Sequence, residues 1–121
     1  MSIRVELDDL PAEVAKRGPG YLLTTRDDGR PHAIEVSFSM ADGALVAPSG
    51  RTTGRNIAAQ PLVAIVFPPI DDGGYSLIID GEATINDGGS SDGASTGGGD
   101  APTAHITPTS ALLHRPAATP G

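Results

Sequence analysis

The chain has 121 residues, 38% of them hydrophobic, with 8 Lys and Arg against 15 Asp and Glu and a formal net charge of −7. That length fits one domain with a modest core, and the acidic balance with only 2 Tyr and 2 Phe argues against nucleic acid, which is bound through basic patches and stacking platforms. The absence of cysteine excludes disulfides and thiolate metal sites.

No segment approaches the ~20 apolar residues of a membrane span. The start MSIRVELDDL lacks the basic-then-apolar order of a signal peptide, so a cytoplasmic location is the expectation. With 16 Gly and 11 Pro, short elements joined by turns are expected rather than long helices.

LDDLPAEVAKRG, residues 7 to 18, reads as a short helix. Asp8 or Asp9 can cap it, Pro11 suits its first turn, Gly18 suits its exit, and Leu7, Leu10 and Val14 form one apolar stripe. The period then changes. YLLTT (21–25) is a strand, and Asp27-Asp28-Gly29-Arg30 a turn. In HAIEVSFSM, Ile34, Val36, Phe38 and Met40 share one face and Ala33, Glu35, Ser37 and Ser39 the other, the alternation of a strand. Asp42-Gly43 turns the chain into a third strand, ALVA (44–47), which completes a meander.

In SGRTTGRNIAAQP (49–61), Thr52 or Thr53 is the expected N-cap of a helix of one or two turns over Arg55–Gln60, ended by Pro61. LVAIVF (62–67) is continuously apolar and reads as a strand buried on both faces. YSLIIDGEATI (75–85) is a long strand bent near Gly81. Residues 86–101 are Gly- and Ser-rich and read as a flexible loop at a hairpin tip. AHITPTSALLHR (104–115) is the return strand, interrupted by Pro108, and residues 116–121 form a C-terminal coil. Six short strands with one connecting helix imply a small, mainly β barrel.

The chemistry concentrates at SGRTTGRN. Two arginines at a helix N-terminus sit on the wrong end of the helix dipole unless an anion is present. Free N–H groups of a first helical turn, the hydroxyls of Ser49, Thr52 and Thr53, close approach at Gly50 and Gly54, and the guanidinium forks of Arg51 and Arg55 make up an anion site. An ordinary capped helix with solvated arginines is the competing reading. The segment is not a Walker A loop, because it lacks the Lys-Ser/Thr pair. His32, His105 and His114 show no ligand spacing, which supports surface or structural roles and no metal. No serine lies in a nucleophile elbow, and no side chain is nominated as catalytic.

The ordered run TTRDDGRPHAIEVSFSMADGALVAPSGRTTGRNIAAQPLVAIVF resembles the pyridoxamine 5'-phosphate oxidase-like, FMN-binding split-barrel family. GYSLIIDGEATI and TPTSALLHRPA are similar to the family's later strands. The resemblance implies one domain over residues 1–121, a six-stranded split β-barrel with short helices that forms a homodimer, with cofactors in grooves at the dimer interface. The family's phosphate-binding segment matches Ser49 to Asn56, so Arg51, Thr53 and Arg55, with Thr52 and Asn56 in the same segment, would hold the cofactor's phosphate. Ile34, Glu35 and Val36, with Ser49 and Gly50, would lie along the isoalloxazine ring. Gly54 stands where the family's second basic residue is usual.

FMN is the implied cofactor and the deazaflavin coenzyme F-420 the alternative. The implied activity is that of an oxidoreductase acting on a small redox substrate. The chain lacks the basic C-terminal substrate motif of the vitamin oxidases, so a non-catalytic flavin- or haem-binding module stands beside that reading, as does a barrel that only dimerises.

Overall fold

The computed structural model describes residues 1–86 and 101–116. Of the loop expected over 86–101, residues 87–100 lie outside the described residues, as do 117–121 of the C-terminal coil, and Asn86 is the last residue of a strand. The elements in chain order are β1 (Ser2–Arg4), a 3-10 turn (Leu7–Asp9), α1 (Leu10–Ala15), β2 (Gly20–Thr25), β3 (Pro31–Val36), β4 (Ser39–Ala41), β5 (Ala44–Pro48), α2 (Arg51–Ala59), β6 (Leu62–Phe67), β7 (Ser76–Asn86) and β8 (Thr103–His114). All strand pairs are antiparallel, in the order β3-β2-β6-β7-β8-β5-β4, with β1 added to β8.

The six expected strands are all present. The one read over 32–40 divides into β3 and β4, and SIR adds the short β1. Its alternation survives the break, because even-numbered residues from His32 to Met40 are half-buried and odd-numbered ones exposed. The sheet edges β3 and β4 thus turn Ile34, Val36 and Met40 onto one core, together with Phe38 between them. Phe38 meets Phe67 edge-on, with ring centroids 5.4 Å apart. A sheet whose two edges pack on the same core is curled into a barrel split between β3 and β4.

Local chemistry explains the connections. Asp42 (φ 53°) and Gly43 (φ 83°) both adopt positive φ between Ala41 and Ala44, which pair directly, as a type I′ hairpin requires. Leu10 and Val14 of α1 are buried with Val5, while Leu7, expected on the same stripe, is 40% exposed because it precedes α1 in the 3-10 turn. Arg17 anchors the exit of α1, donating from Nη1 to the carbonyls of Pro68 (3.2 Å) and Tyr75 (3.0 Å).

The bend of the barrel is written into β7 and β8. Asp80 pairs with Ser110 and Gly81 with Pro108, so Thr109 is an extra residue on β8. Its hydroxyl donates to the Asp80 carbonyl at 3.1 Å. One inserted residue reverses which side chains face inward. Ala104 and Ile106 are buried before the bulge and Ala111 after it, while β7 keeps a single phase through Leu77, Ile79 and Ala83. Pro108 therefore does not interrupt the strand as expected. Its missing N–H falls at the bulge, where the ladder is already irregular.

β6 also departs from expectation. Val63, Ile65 and Phe67 are buried, but Leu62 is 58% exposed and Ala64 and Val66 are half-covered. Tyr21, Val66, Ile78 and Leu112 lie opposite one another across β2, β6, β7 and β8, forming an apolar ladder on the outer face. The run is apolar on both faces, yet the single chain covers only one of them fully.

A Cβ at Gly81 would lie 2.7 Å from Ile106 Cγ2 and 2.8 Å from the Thr107 carbonyl oxygen. Gly81→Ala should therefore destabilise the fold by about 1–3 kcal/mol, lowering the midpoint in a thermal melt by several degrees. Gly18→Ala, where nothing lies within 4 Å, is the control expected to melt with the wild type.

Candidate functional site

β5 delivers the chain to α2 through Pro48 and Ser49. The Ser49 N–H donates to the Pro102 carbonyl at 3.0 Å, fixing the start of α2 against the beginning of β8. Ser49 Oγ donates to the Gly50 carbonyl at 3.1 Å. Gly50 is the N-cap (φ −79°, ψ −179°), and no side chain caps the helix. The structure corrects the expectation of a Thr52 or Thr53 cap and of a helix over Arg55–Gln60: α2 spans Arg51–Ala59, nine residues. Among the described residues its first N–H groups have neither an intrahelical nor a side-chain acceptor, which leaves them open to an anion.

The longer helix changes which residues face outward. Gly50, Gly54 and Ala58 recur every fourth residue and keep one face of α2 low, with Arg51 and Arg55 beside them. This face, with Ser49, Ile85 and Pro102, lines an open groove of about 600 Å³. A Cβ at Gly54 would lie 3.4 Å from Ser49 Oγ, so the glycine leaves room between Ser49 and α2. Thr52, Arg55 and Asn56 line a second hollow of about 400 Å³ with Arg26, Asp27, Asp28 and His32. Arg55 borders both.

Electrostatics single out these arginines. Arg4 pairs with Glu6, Lys16 and Arg17 with Glu13, and Arg30 with Asp28, while Arg115 lies 4.7 Å over the Tyr75 ring. Among the described residues, Arg26, Arg51 and Arg55 form no ion pair, although the chain carries 15 Asp and Glu.

The other expected site residues divide. Ser49, Gly50, Arg51 and Arg55 come together as anticipated. Thr53 and Asn56 are buried, at 2% and 4% exposure. Asn56 Nδ2 donates to Thr24 Oγ1 at 3.0 Å, a buried bond that ties α2 to β2. Ile34, Glu35 and Val36 lie on edge strand β3, with Glu35 exposed, and line neither α2 groove. The histidines are dispersed: His105 Nε2 contacts Thr103 Oγ1 at 3.1 Å and His114 Nδ1 contacts Ser2 Oγ at 3.2 Å. His32 keeps a buried, unpartnered Nδ1. Arg26, Ile85 and Pro102, which no sequence pattern singled out, and His32, read from sequence as a surface or structural residue, line these two hollows through strand pairing.

A family model described as Pyridoxamine 5'-phosphate oxidase matches residues 8–115. The chain belongs to that family. Among relatives of this family member, an uncharacterised protein of Mycobacterium bovis is 34% identical, over 95% of this chain and 83% of the relative. Two solved structures share the split-barrel fold. One is an F-420 reductase, with 24% identity, a TM-score of 0.64, and 82% of this chain and 93% of that one covered. The other is a FAD-binding protein of Mesorhizobium loti, with 15% identity, a TM-score of 0.69, and coverage of 94% and 99%. Among the described residues, this family member has no helix long and apolar enough to cross a membrane.

Because the Asn56–Thr24 bond is buried, Asn56→Ala should cost about 1–3 kcal/mol by leaving the Thr24 hydroxyl without its donor. In urea unfolding, Asn56→Leu combined with Thr24→Val should recover much of that loss. Equal midpoints for Asn56→Ala and the wild type would show that the bond does not hold α2.

Proposed function

We propose that this family member binds a flavin or deazaflavin cofactor with its phosphate at the start of α2, and acts as an oxidoreductase on a small redox substrate. The carrying observation is the uncapped N-terminus of α2, flanked by Arg51 and Arg55 without ion-pair partners among the described residues. An anion there is favoured by the helix dipole and by free N–H groups, and it relieves the repulsion between the arginines. The groove's volume of about 600 Å³ is that of a small-molecule site.

The residues present fit such a cofactor. Arg51, Arg55 and the first-turn amides of α2 would hold the phosphate. The wall of Ala58, Ile85 and Pro102 offers apolar surface beside it. Once bound, the cofactor supplies the hydride chemistry. Among the described residues lining the groove, the chain's part is to bind and orient the cofactor and to exclude water. The FAD-binding and F-420 reductase neighbours support this cofactor class. FMN is the first choice and deazaflavin the alternative.

The half-covered outer ladder of Tyr21, Val66, Ile78 and Leu112 supports assembly as a homodimer, in which a second copy would shield it.

Fluorescence titration with FMN tests the reading. Wild-type protein should bind stoichiometrically, and replacing Arg51 and Arg55 together by Ala should weaken binding about a hundredfold, since each charge-assisted contact is worth roughly tenfold or more. Failure of the wild type to bind FMN, FAD or F-420 would overturn it. Turnover with a reduced cofactor separates an oxidoreductase from a module that only carries one.

A further inference from the structure

We propose that the outer face of β2, β6 and β7 carries a lock for a second copy of this chain, in which Tyr21 of each copy enters a hollow over Ala64 of the other and donates its hydroxyl to Asp80 there. This rests on the reading of the chain as a homodimer and goes further by naming the two features that fix how the copies meet.

The alternation of the strands decides which side chains stand on this face. Odd-numbered residues of β2 and even-numbered residues of β6 and β7 point away from the core. Strand pairing sets them in two rows. Tyr21, Val66 and Ile78 form a ridge on which Tyr21 stays 39% exposed. One step along the strands, Leu23, Ala64 and Asp80 form the next row. Ala64 is the short side chain in its middle, and the surface falls there into a hollow of about 410 Å³, which Pro31, Leu62 and Thr109 also line. Leu62 is 58% exposed on its wall.

Ridge and hollow are neighbours, because successive outward positions on a strand lie about 7 Å apart. A two-fold axis running across the strands between the two rows sets the ridge of each copy over the hollow of the other, so the contact forms twice from one patch. That is the self-complementarity an isologous interface requires. The chemistry matches the shape. A tyrosine ring meets the apolar walls of Leu23, Pro31 and Leu62, while its hydroxyl needs an acceptor once covered. Asp80 supplies one. Its Oδ2 accepts from Ser110 Oγ at 3.2 Å, and it forms no ion pair among the described residues. A carboxylate covered by a partner costs free energy unless it gains a further donor. The phenol of the second copy is that donor. Exposed Glu35, opposite Tyr21 on β3, gives the patch a polar rim.

Sedimentation equilibrium of the purified protein measures the dimer constant. Wild type should be a dimer at micromolar concentration. Tyr21→Ala should weaken it about a hundredfold, since an aromatic anchor is lost twice per dimer. Ala64→Leu, which removes nothing and fills the hollow, should weaken it comparably in the wild type but add little once Tyr21→Ala is present. Both positions face outward, so thermal melts should show both variants folded. Tyr21→Phe keeps the ring and should cost about tenfold through the hydrogen bond to a charged acceptor. In an Asp80→Asn background the same change should cost much less.

A dimer that Tyr21→Ala and Ala64→Leu leave intact would overturn the lock, and so would losses that simply add in the double variant; the homodimer itself would stand in both cases. A wild type that stays monomeric at micromolar concentration would overturn both. The FMN titration is decided separately from all of these outcomes.

Discussion

The bulge where Asp80-Gly81 meets Pro108-Thr109-Ser110 is the constraint on which the rest of the molecule rests. β7 and β8 form the longest pairing in the sheet, and a regular ladder of that length would place Ser110 and Leu112 on the core side. The inserted Thr109 instead turns Ala111 and Leu113 inward and bends β8. With that bend, β8 pairs along its other edge with β5 in its first part and β1 in its last. The β5–β8 pairing then sets where β5 ends and so where α2 begins.

The site inherits its geometry from this arrangement. Ser49 is pinned to Pro102 just before β8, Asn56 to Thr24 on β2, and α2 is held between these ties. Its start is left to Gly50, which has no side chain to offer the first amides. Rigid anchoring on two sides with no cap from Gly50 is the geometry on which the proposed anion site rests, because no Gly50 side chain must move away before a ligand enters. Arg51 and Arg55, one turn apart, then flank a single opening.

Much of this was legible in the residues. The even-numbered apolar positions of HAIEVSFSM, the Asp42-Gly43 turn and the bend at Gly81 declare the strands and their order. SGRTTGRN carries the arginines and glycines that the structure gathers along one groove, and on them the proposed anion site rests. Other features were hidden because they depend on long-range pairing. Helix propensity could not reveal that α2 begins at Arg51, since the Ser49–Pro102 bond decides it from half the chain away. Asn56 enters the candidate segment through the resemblance, and the structure adds what no local pattern shows, that helical phase turns it inward onto Thr24. LVAIVF looked buried on both faces because burial on a second face depends on neighbours that a single chain does not contain. Arg26, beside an acidic turn, is carried to the α2 hollow by the β2–β3 hairpin, a placement that its local sequence does not show.

The short strand β1 has a consequence of a different kind. Ser2 lies opposite His114 and Arg4 opposite Leu112, so the two ends of the described chain leave the sheet side by side. Tension applied between Ser2 and His114 would load these cross-strand bonds one after another rather than all together. Antiparallel pairs pulled from a shared end peel like a zip, and the barrel would yield first at this seam, far in sequence from the turn that carries Arg51 and Arg55.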